Sequence, residues 1–263
     1  MKRFTAAGLG ISACIILLCR IFPGAAEFFA GFARLYARAA AKLTGRTVVP
    51  VAEIAALLLR TWAAAELFRA ALRREIGRWA QKAGAAATVL ILLYAAAWYP
   101  LYYAPSALPA AVPHQVSREA MERLAVRLSE EVALQETASA ATSAKRARYP
   151  EWMEWLNLNG IYIPMTGEAI VRGGDRFVMR HEEMHALGIA DEGQANILAY
   201  EVCMREGGAA AADARRWALK SALSCLSGEE ERNPFGFLGR GTGNYGDLAL
   251  YLAARFDAEP GMV

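Results

Sequence analysis

The run from Ala83 to Tyr103 limits what this chain can fold into more than any other stretch. Its 21 residues carry no charge. As a helix they extend about 31 Å, the thickness of a bilayer's hydrocarbon core. Trp98, Tyr99, Tyr102 and Tyr103 gather at one end, and aromatic rings favour the headgroup level. The bland reading is a buried core helix, which the length disfavours. Phe4 to Cys19 adds 16 uncharged residues behind Lys2 and Arg3. We read it as an uncleaved anchor (span 4–22) rather than a signal peptide, because no small-x-small cleavage site follows and Arg20 comes at once. A third, weaker span covers 47–68. Glu53 sits inside it and Arg60 follows seven residues later, nearly two turns on, so the two can share a face. A surface amphipathic helix is the alternative there. Between the first two spans, Arg34, Arg38 and Lys42 recur every four residues opposite Phe28, Phe32 and Leu35. That pattern suits an interfacial helix, and a solvated face would look the same.

Charge divides the chain. Residues 1–103 hold 13 basic and 4 acidic groups, or +9, and residues 104–263 hold 16 and 22, or −6. An acidic second half argues against nucleic acid as a partner. The expected partners are a lipid bilayer and a peptide or protein. Lys2 and Arg3 would share one membrane side with Arg69, Arg73, Arg74, Arg78 and Lys82, against Arg20, Arg34, Arg38, Lys42 and Arg46 on the other. Seven against five favours the amino terminus inside. The expectation is a multi-pass cell-membrane protein whose second domain is extracytoplasmic. The four cysteines, Cys14, Cys19, Cys203 and Cys225, form no CxxC pair. They exclude a disulfide scaffold, and Cys203 and Cys225 read as reduced core thiols.

The expected organisation is a membrane region at 1–103, with spans near 4–22, 47–68 and 83–103, a Pro/Ala linker at 104–116, and a second domain at 117–263. Ser117 can cap a helix to about Gln135 with Met121, Leu124, Leu128 and Val132 on one face. Ile161 to Pro164 reads as a short strand after Gly160, and an edge strand there would accept an extended peptide. Val178–Leu187, Glu192–Arg205 and 209–226 read as helices. Gly236 to Gly246 is a loop without phosphate-cradle order. The fold class is mostly α with a small β element.

His181-Glu182-Glu183-Met184-His185 is an HExxH sequence. On a helix, residues four apart share a face, so both imidazoles can bind one metal. Glu182 then stands beside the ion, placed to take a proton from water. The bland reading is a surface helix with ordinary histidines. A zinc hydrolase needs a third protein ligand. Glu192 opens an ExxAN pattern, and Asp191 completes HExxHxxGxxD; Glu192 is preferred and Asp191 is the alternative. Asn196, one turn past Glu192, can support a ligating histidine. Tyr245 in the glycine-rich loop is a candidate for contact with an oxyanion or substrate. Glu168 reads as a turn acid in preference to a site residue.

The segments GIYIPMTGEA (Gly160–Ala169) and HEEMHALGIADEGQAN (His181–Asn196), with Tyr200, resemble bacterial domain-of-unknown-function family 3810. That family pairs membrane spans with a GFYxPFTGEA-like segment, HExxHxxG and an ExEAN-type motif. The resemblance implies a membrane-anchored, zincin-like metallopeptidase with Zn2+ as cofactor, His181, His185 and Glu192 as ligands and Glu182 as base. Met165 stands where the family pattern has an aromatic, and Gln194 replaces the second acid of ExEAN. The expected function is peptide-bond hydrolysis by a zinc-activated water. An inactive metal-binding module that recognises peptides, or a membrane scaffold with an accidental HExxH, are the alternatives.

Overall fold

A computed structural model describes residues 2–104, 112–113, 115–132, 143–227 and 246–258. The first half is helical: α1 (Lys2–Ile21), α2 (Pro23–Thr44), α3 (Val51–Leu72) and α4 (Ile76–Ala97), the last continued by a 3₁₀ turn at Tyr99–Tyr102. Pro23 opens α2, where its missing N–H is no loss. Among the described residues, two helical segments are long and apolar enough to cross a membrane, Phe4–Ile21 and Ile76–Tyr102. The expected third span is a helix, displaced to 51–72. Glu53, Arg60 and Glu66 keep it out of that class.

α1 and α4 run side by side in one direction. Gly8 lies against Thr88, and Cys19 packs beside Tyr99. α3 turns back into α4 through a short connection, with Lys82 Nζ 2.7 Å from Glu66 and the Trp79 indole donating to the Ala63 carbonyl at 3.3 Å. α2 buries a stripe of small residues, Ala26, Ala30, Ala33 and Ala37, and exposes Phe28, Phe32 and Leu35.

The second half holds α5 (Arg118–Val132), β1 (Lys145–Arg146), α6 (Glu151–Trp155), β2 (Gly160–Ile163), β3 (Glu168–Val171), α7 (Arg176–Ala186), α8 (Glu192–Glu206), α9 (Gly208–Ser227) and α10 (Asp247–Ala258). The chain is thus mostly helical with a small sheet. Ser117 caps α5 by accepting from the Ala120 amide at 3.1 Å. Leu124, Leu128, Ile197, Leu248 and Leu252 fill a core shared by α5, α7, α8, α9 and α10. The sheet order is β1-β3-β2, with β1 parallel and β2 antiparallel to β3. β2 is therefore an edge strand. Side chains alternate across it: Gly160 faces α7, while Ile163 and its neighbour Ile170 face α3.

The two halves are closely joined. The β2–β3 turn sits on α2: Tyr36 donates to the Met165 carbonyl at 2.7 Å and Thr44 to that of Thr166 at 3.0 Å. At Gly167, φ is +65°, and an added Cβ would lie 2.6 Å from the backbone nitrogen of Ala41; only glycine allows that approach. Glu168 is no site residue. Its carboxylate accepts from the amides of Val51 and Ala52, each at 2.8 Å, and from Lys145 at 2.7 Å. It thereby caps α3 from a distant strand, at the helix end where negative charge is favoured. Burial alone would raise this carboxyl, but Lys145 and the two amides hold it below its ordinary value. Glu53 also turns to the second half, accepting from the Arg148 amide and the Trp152 indole, both at 2.8 Å.

Candidate metal centre

Helix α7 begins at Asp175, whose side chain accepts from the Val178 amide. His181 and His185 then stand one turn apart on one face. The helix ends at Ala186, and the chain reverses at Gly188, where φ is +92°. The Gly188 amide returns to the His185 carbonyl at 2.9 Å and that of Ile189 to Met184 at 3.1 Å. An added Cβ at Gly188 would lie 2.9 Å from Cγ of Arg34 on α2. This turn delivers Asp191 and Glu192 to the start of α8.

Asp191 and Glu192 have different roles. The Asp191 side chain caps α8, accepting from the Gln194 amide at 2.8 Å. Glu192 instead reaches back over α7. Its Oε2 lies 3.1 Å from His181 Nε2 and 3.4 Å from His185 Nε2. The two Nε2 atoms are 3.0 Å apart. His185 Nδ1 lies 2.6 Å from the Ile189 carbonyl; an N–H donated there leaves a lone pair on Nε2.

The three side chains fit a metal ion. Their ligand atoms all lie within 4.8 Å of one another. Nitrogen or oxygen ligands about 2.0–2.1 Å from one tetrahedral ion stand roughly 3.3 Å apart, close to the separations seen here. Two imidazoles and one carboxylate suit a divalent transition metal with a position left open. Without an ion, a proton must separate the lone pairs. Burial opposes charge on His185, but Glu192 outweighs it and lifts the imidazole from 6.5 to about 9. Glu192 itself is held far below its usual range by the two histidines, against its burial.

Glu182 lies between these ligands and the sheet, 5% exposed. Burial drives its pKa up, only partly countered by His181 and His185. β2 supplies the wall: a Cβ on Gly160 would lie 2.5 Å from Oε1 and 2.7 Å from Cγ of Glu182. The neighbouring Glu183 is structural. It accepts from the amide and hydroxyl of Ser143 and pairs with Arg180, which also reaches Glu206.

Residues at the carboxyl end of α4 and in the turn after it form a further wall. The Trp98 ring centroid lies 5.9 Å from that of His185 and 5.0 Å from that of Tyr162, and the Trp98 indole donates to the Tyr102 hydroxyl at 3.1 Å. Gly160, Ile189 and Trp98 were not singled out as site residues from sequence. Gly160 opens the GIYIP motif, the one signal that could have marked it. Asn196 is buried beside Phe177 and Trp217 and makes no hydrogen bond to either histidine among the described residues. Tyr245 lies outside the described residues. Gln194 gives its amide to Asp191, so its departure from the ExEAN pattern leaves the three converging side chains in place. Cys203 is a buried thiol and Cys225 a surface one rather than part of the core.

No curated protein and no solved structure matches the chain. A family model described as "Protein of unknown function (DUF3810)" matches residues 115–210, which include α7, α8 and all three converging side chains, and so supports the domain-of-unknown-function family whose motifs the sequence carries.

Proposed function

We propose that this chain is a membrane-anchored zinc metallopeptidase with a zincin-like catalytic half. The observation that carries the reading is the meeting of His181, His185 and Glu192 around one point, with Glu182 buried beside it. A zinc ion held there would supply Lewis acidity toward water and a peptide carbonyl. His181, His185 and Glu192 would hold the ion, and the Ile189 carbonyl fixes the tautomer of His185. Glu182 takes a proton from the attacking water at its carboxylate and returns it to the leaving amine. Burial raises its pKa, the direction that makes a carboxylate a stronger base toward water. The free edge of β2 offers backbone groups to an extended substrate.

Anchoring follows from Phe4–Ile21 and Ile76–Tyr102. α3 adds a third crossing in this reading. Its acids sit toward its ends, Glu53 bonded to the second half and Glu66 to Lys82. The carboxyl end of α4 and the amino end of α3 meet the second half, and the carboxyl end of α1 lies beside Tyr99 at that same end of α4. The basic 69–82 stretch then lies at the opposite end with Lys2 and Arg3, as an inside amino terminus and an extracytoplasmic site require.

The test uses the full chain in detergent micelles. Elemental analysis should find one zinc per chain, and a fluorogenic peptide library should be hydrolysed. Glu182→Gln should keep the metal and lose roughly 10²–10⁴-fold in rate. Undiminished hydrolysis in that variant would remove Glu182 as base. Metal bound without hydrolysis by the wild type would leave a peptide-recognition module.

A further inference from the structure

A second site lies on the other face of the sheet. A cavity of about 720 Å³ separates α3 from the sheet and α6, within the usual size of ligand pockets, ~300–1,000 Å³. Ala56 and Leu57 of α3, Ile163 and Ile170 of the sheet and Trp152 of α6 make it apolar. Two acids and one cation also line it: Glu53, Glu151 and Arg60. Both Glu53 oxygens are engaged by Arg148 and Trp152. Glu151 is exposed at the start of α6 and makes no ion pair with Arg60. Arg60 has no hydrogen bond or ion pair with any described residue. An unpartnered guanidinium midway along an apolar helix is costly in lipid and calls for an anion.

The surroundings indicate where that anion comes from. α3 exposes Leu57, Leu58, Leu59 and Trp62 beside Arg60. Across the cavity, Tyr149 of its lining is 56% exposed, and Trp155 at the end of α6 is 84% exposed. A soluble face does not present such an apolar surface without a partner, and tryptophan and tyrosine favour the headgroup layer. The apolar exterior of α3 is thus continuous with the apolar cavity, and a cation stands where they join.

We infer that this cavity takes one phospholipid from the surrounding bilayer, an acyl chain lying against Ile163 and Ile170 and the phosphate at Arg60. The inference rests on the membrane-anchored reading and is independent of peptide hydrolysis. The planar guanidinium matches a phosphate in two-point hydrogen bonding. Because Ile163 and Ile170 share strands with Gly160 and Val171, the bound chain supports the back of the sheet that walls Glu182.

Native mass spectrometry of the full chain, delipidated in detergent, tests this with three probes. These are dioleoyl phosphatidylglycerol, dioleoylglycerol (the same chains without phosphate) and glycerol phosphate (the head without chains). Wild type should bind one phosphatidylglycerol at least tenfold more tightly than dioleoylglycerol, and glycerol phosphate should not bind. Arg60→Gln should erase the preference for the phosphate. Ala56→Trp, which fills the cavity, should abolish binding of both lipids. Arg60 is exposed and unpartnered, so Arg60→Gln should keep the circular-dichroism spectrum and elution volume of wild type. A preference for phosphate that survives Arg60→Gln, lipid binding that survives Ala56→Trp, or displacement of the lipid by a soluble leucine-rich peptide would overturn the assignment. No assay here depends on hydrolysis, so failure of this site and failure of the metallopeptidase reading are separable.

Discussion

Replacing Gly160 with alanine adds one methyl group where β2 meets the HExxH helix. The new carbon would lie 2.5 Å from Oε1 and 2.7 Å from Cγ of Glu182, and 2.8 Å from Cγ1 of Val178. Ordinary carbon contacts stand about 3.5–4.0 Å apart. Glu182 is 5% exposed, so its carboxylate cannot swing into solvent. Either β2 withdraws from α7 or the carboxylate leaves its place. Overpacking of this kind costs about 1–3 kcal/mol, and each kcal/mol lowers the Tm by roughly 2–4 °C in a chain near this size. None of the metal-facing atoms is touched, so Gly160→Ala should retain zinc. A base displaced by about 1 Å loses on the order of 10²-fold in rate. A double-mutant cycle isolates the cause. Glu182→Ala removes two of the three close atoms, so Gly160→Ala should cost less in that background, with a coupling of about 0.5–3 kcal/mol. Thermal melts of the four proteins measure it. Additive costs would show that the two residues do not press on each other, and the account of Gly160 would be wrong.

Other expectations follow from the same geometry. Asp191→Ala removes the cap of α8 and should cost about 1 kcal/mol while keeping the metal; Glu192→Ala should lose the metal in elemental analysis, and the reverse ranking would restore the glycine-turn reading. In the metal-free protein, His185 is raised from 6.5 to about 9, chiefly because Glu192 outweighs burial. Its stabilisation should be whole below about pH 6.5 and vanish as pH rises through about 9. Zinc must displace that proton, so calorimetry in buffers of different ionisation enthalpy should detect close to one proton released per zinc at pH 7.5; zero release would contradict a protonated His185. Alkaline-phosphatase fusions after Ala107 should be active and fusions near Arg74 inactive; the opposite pattern would mean that α3 does not cross the membrane.

Much of this was legible in the chain because short-range periodicity carries it. Helices α5, α7, α8 and α9 lie within a few residues of their expected bounds. The HExxH spacing alone places two imidazoles on one face. The preference for Glu192 over Asp191 could be stated but not decided, since adjacent residues differ only in where the turn at Gly188 points them. β1, β3 and α6 were not anticipated. β1 has two residues and α6 five, too short for any period to emerge, and β3 is buried throughout, so it has no polar alternation. Most of the spacer expected at 104–116 lies outside the described residues, and the contacts that join the halves were harder to read. The alanine stripe of α2 has little hydrophobic contrast, yet small residues are what allow two backbones to approach closely. That close approach, with Trp98 against His185, could not be read from either segment alone.

The bonds joining the halves also set an order of events in biosynthesis. Tyr36 waits 129 residues for Met165, and the first turn of α3 waits 117 residues for Glu168. All four amino-terminal helices leave the ribosome before any strand of the sheet exists. Contacts so distant in sequence close late, because loop closure must be complete before they contribute. The candidate site is therefore assembled onto helices already made, which on the membrane-anchored reading already lie in the bilayer, with Trp98 and Arg34 in position before His185 and Gly188 arrive. A nascent chain stalled before α8 has both histidines but no Glu192, and a fragment cut free of its helices has the full motif but lacks one wall. If the proposed reading holds, competence to bind metal reports that insertion and synthesis have both finished.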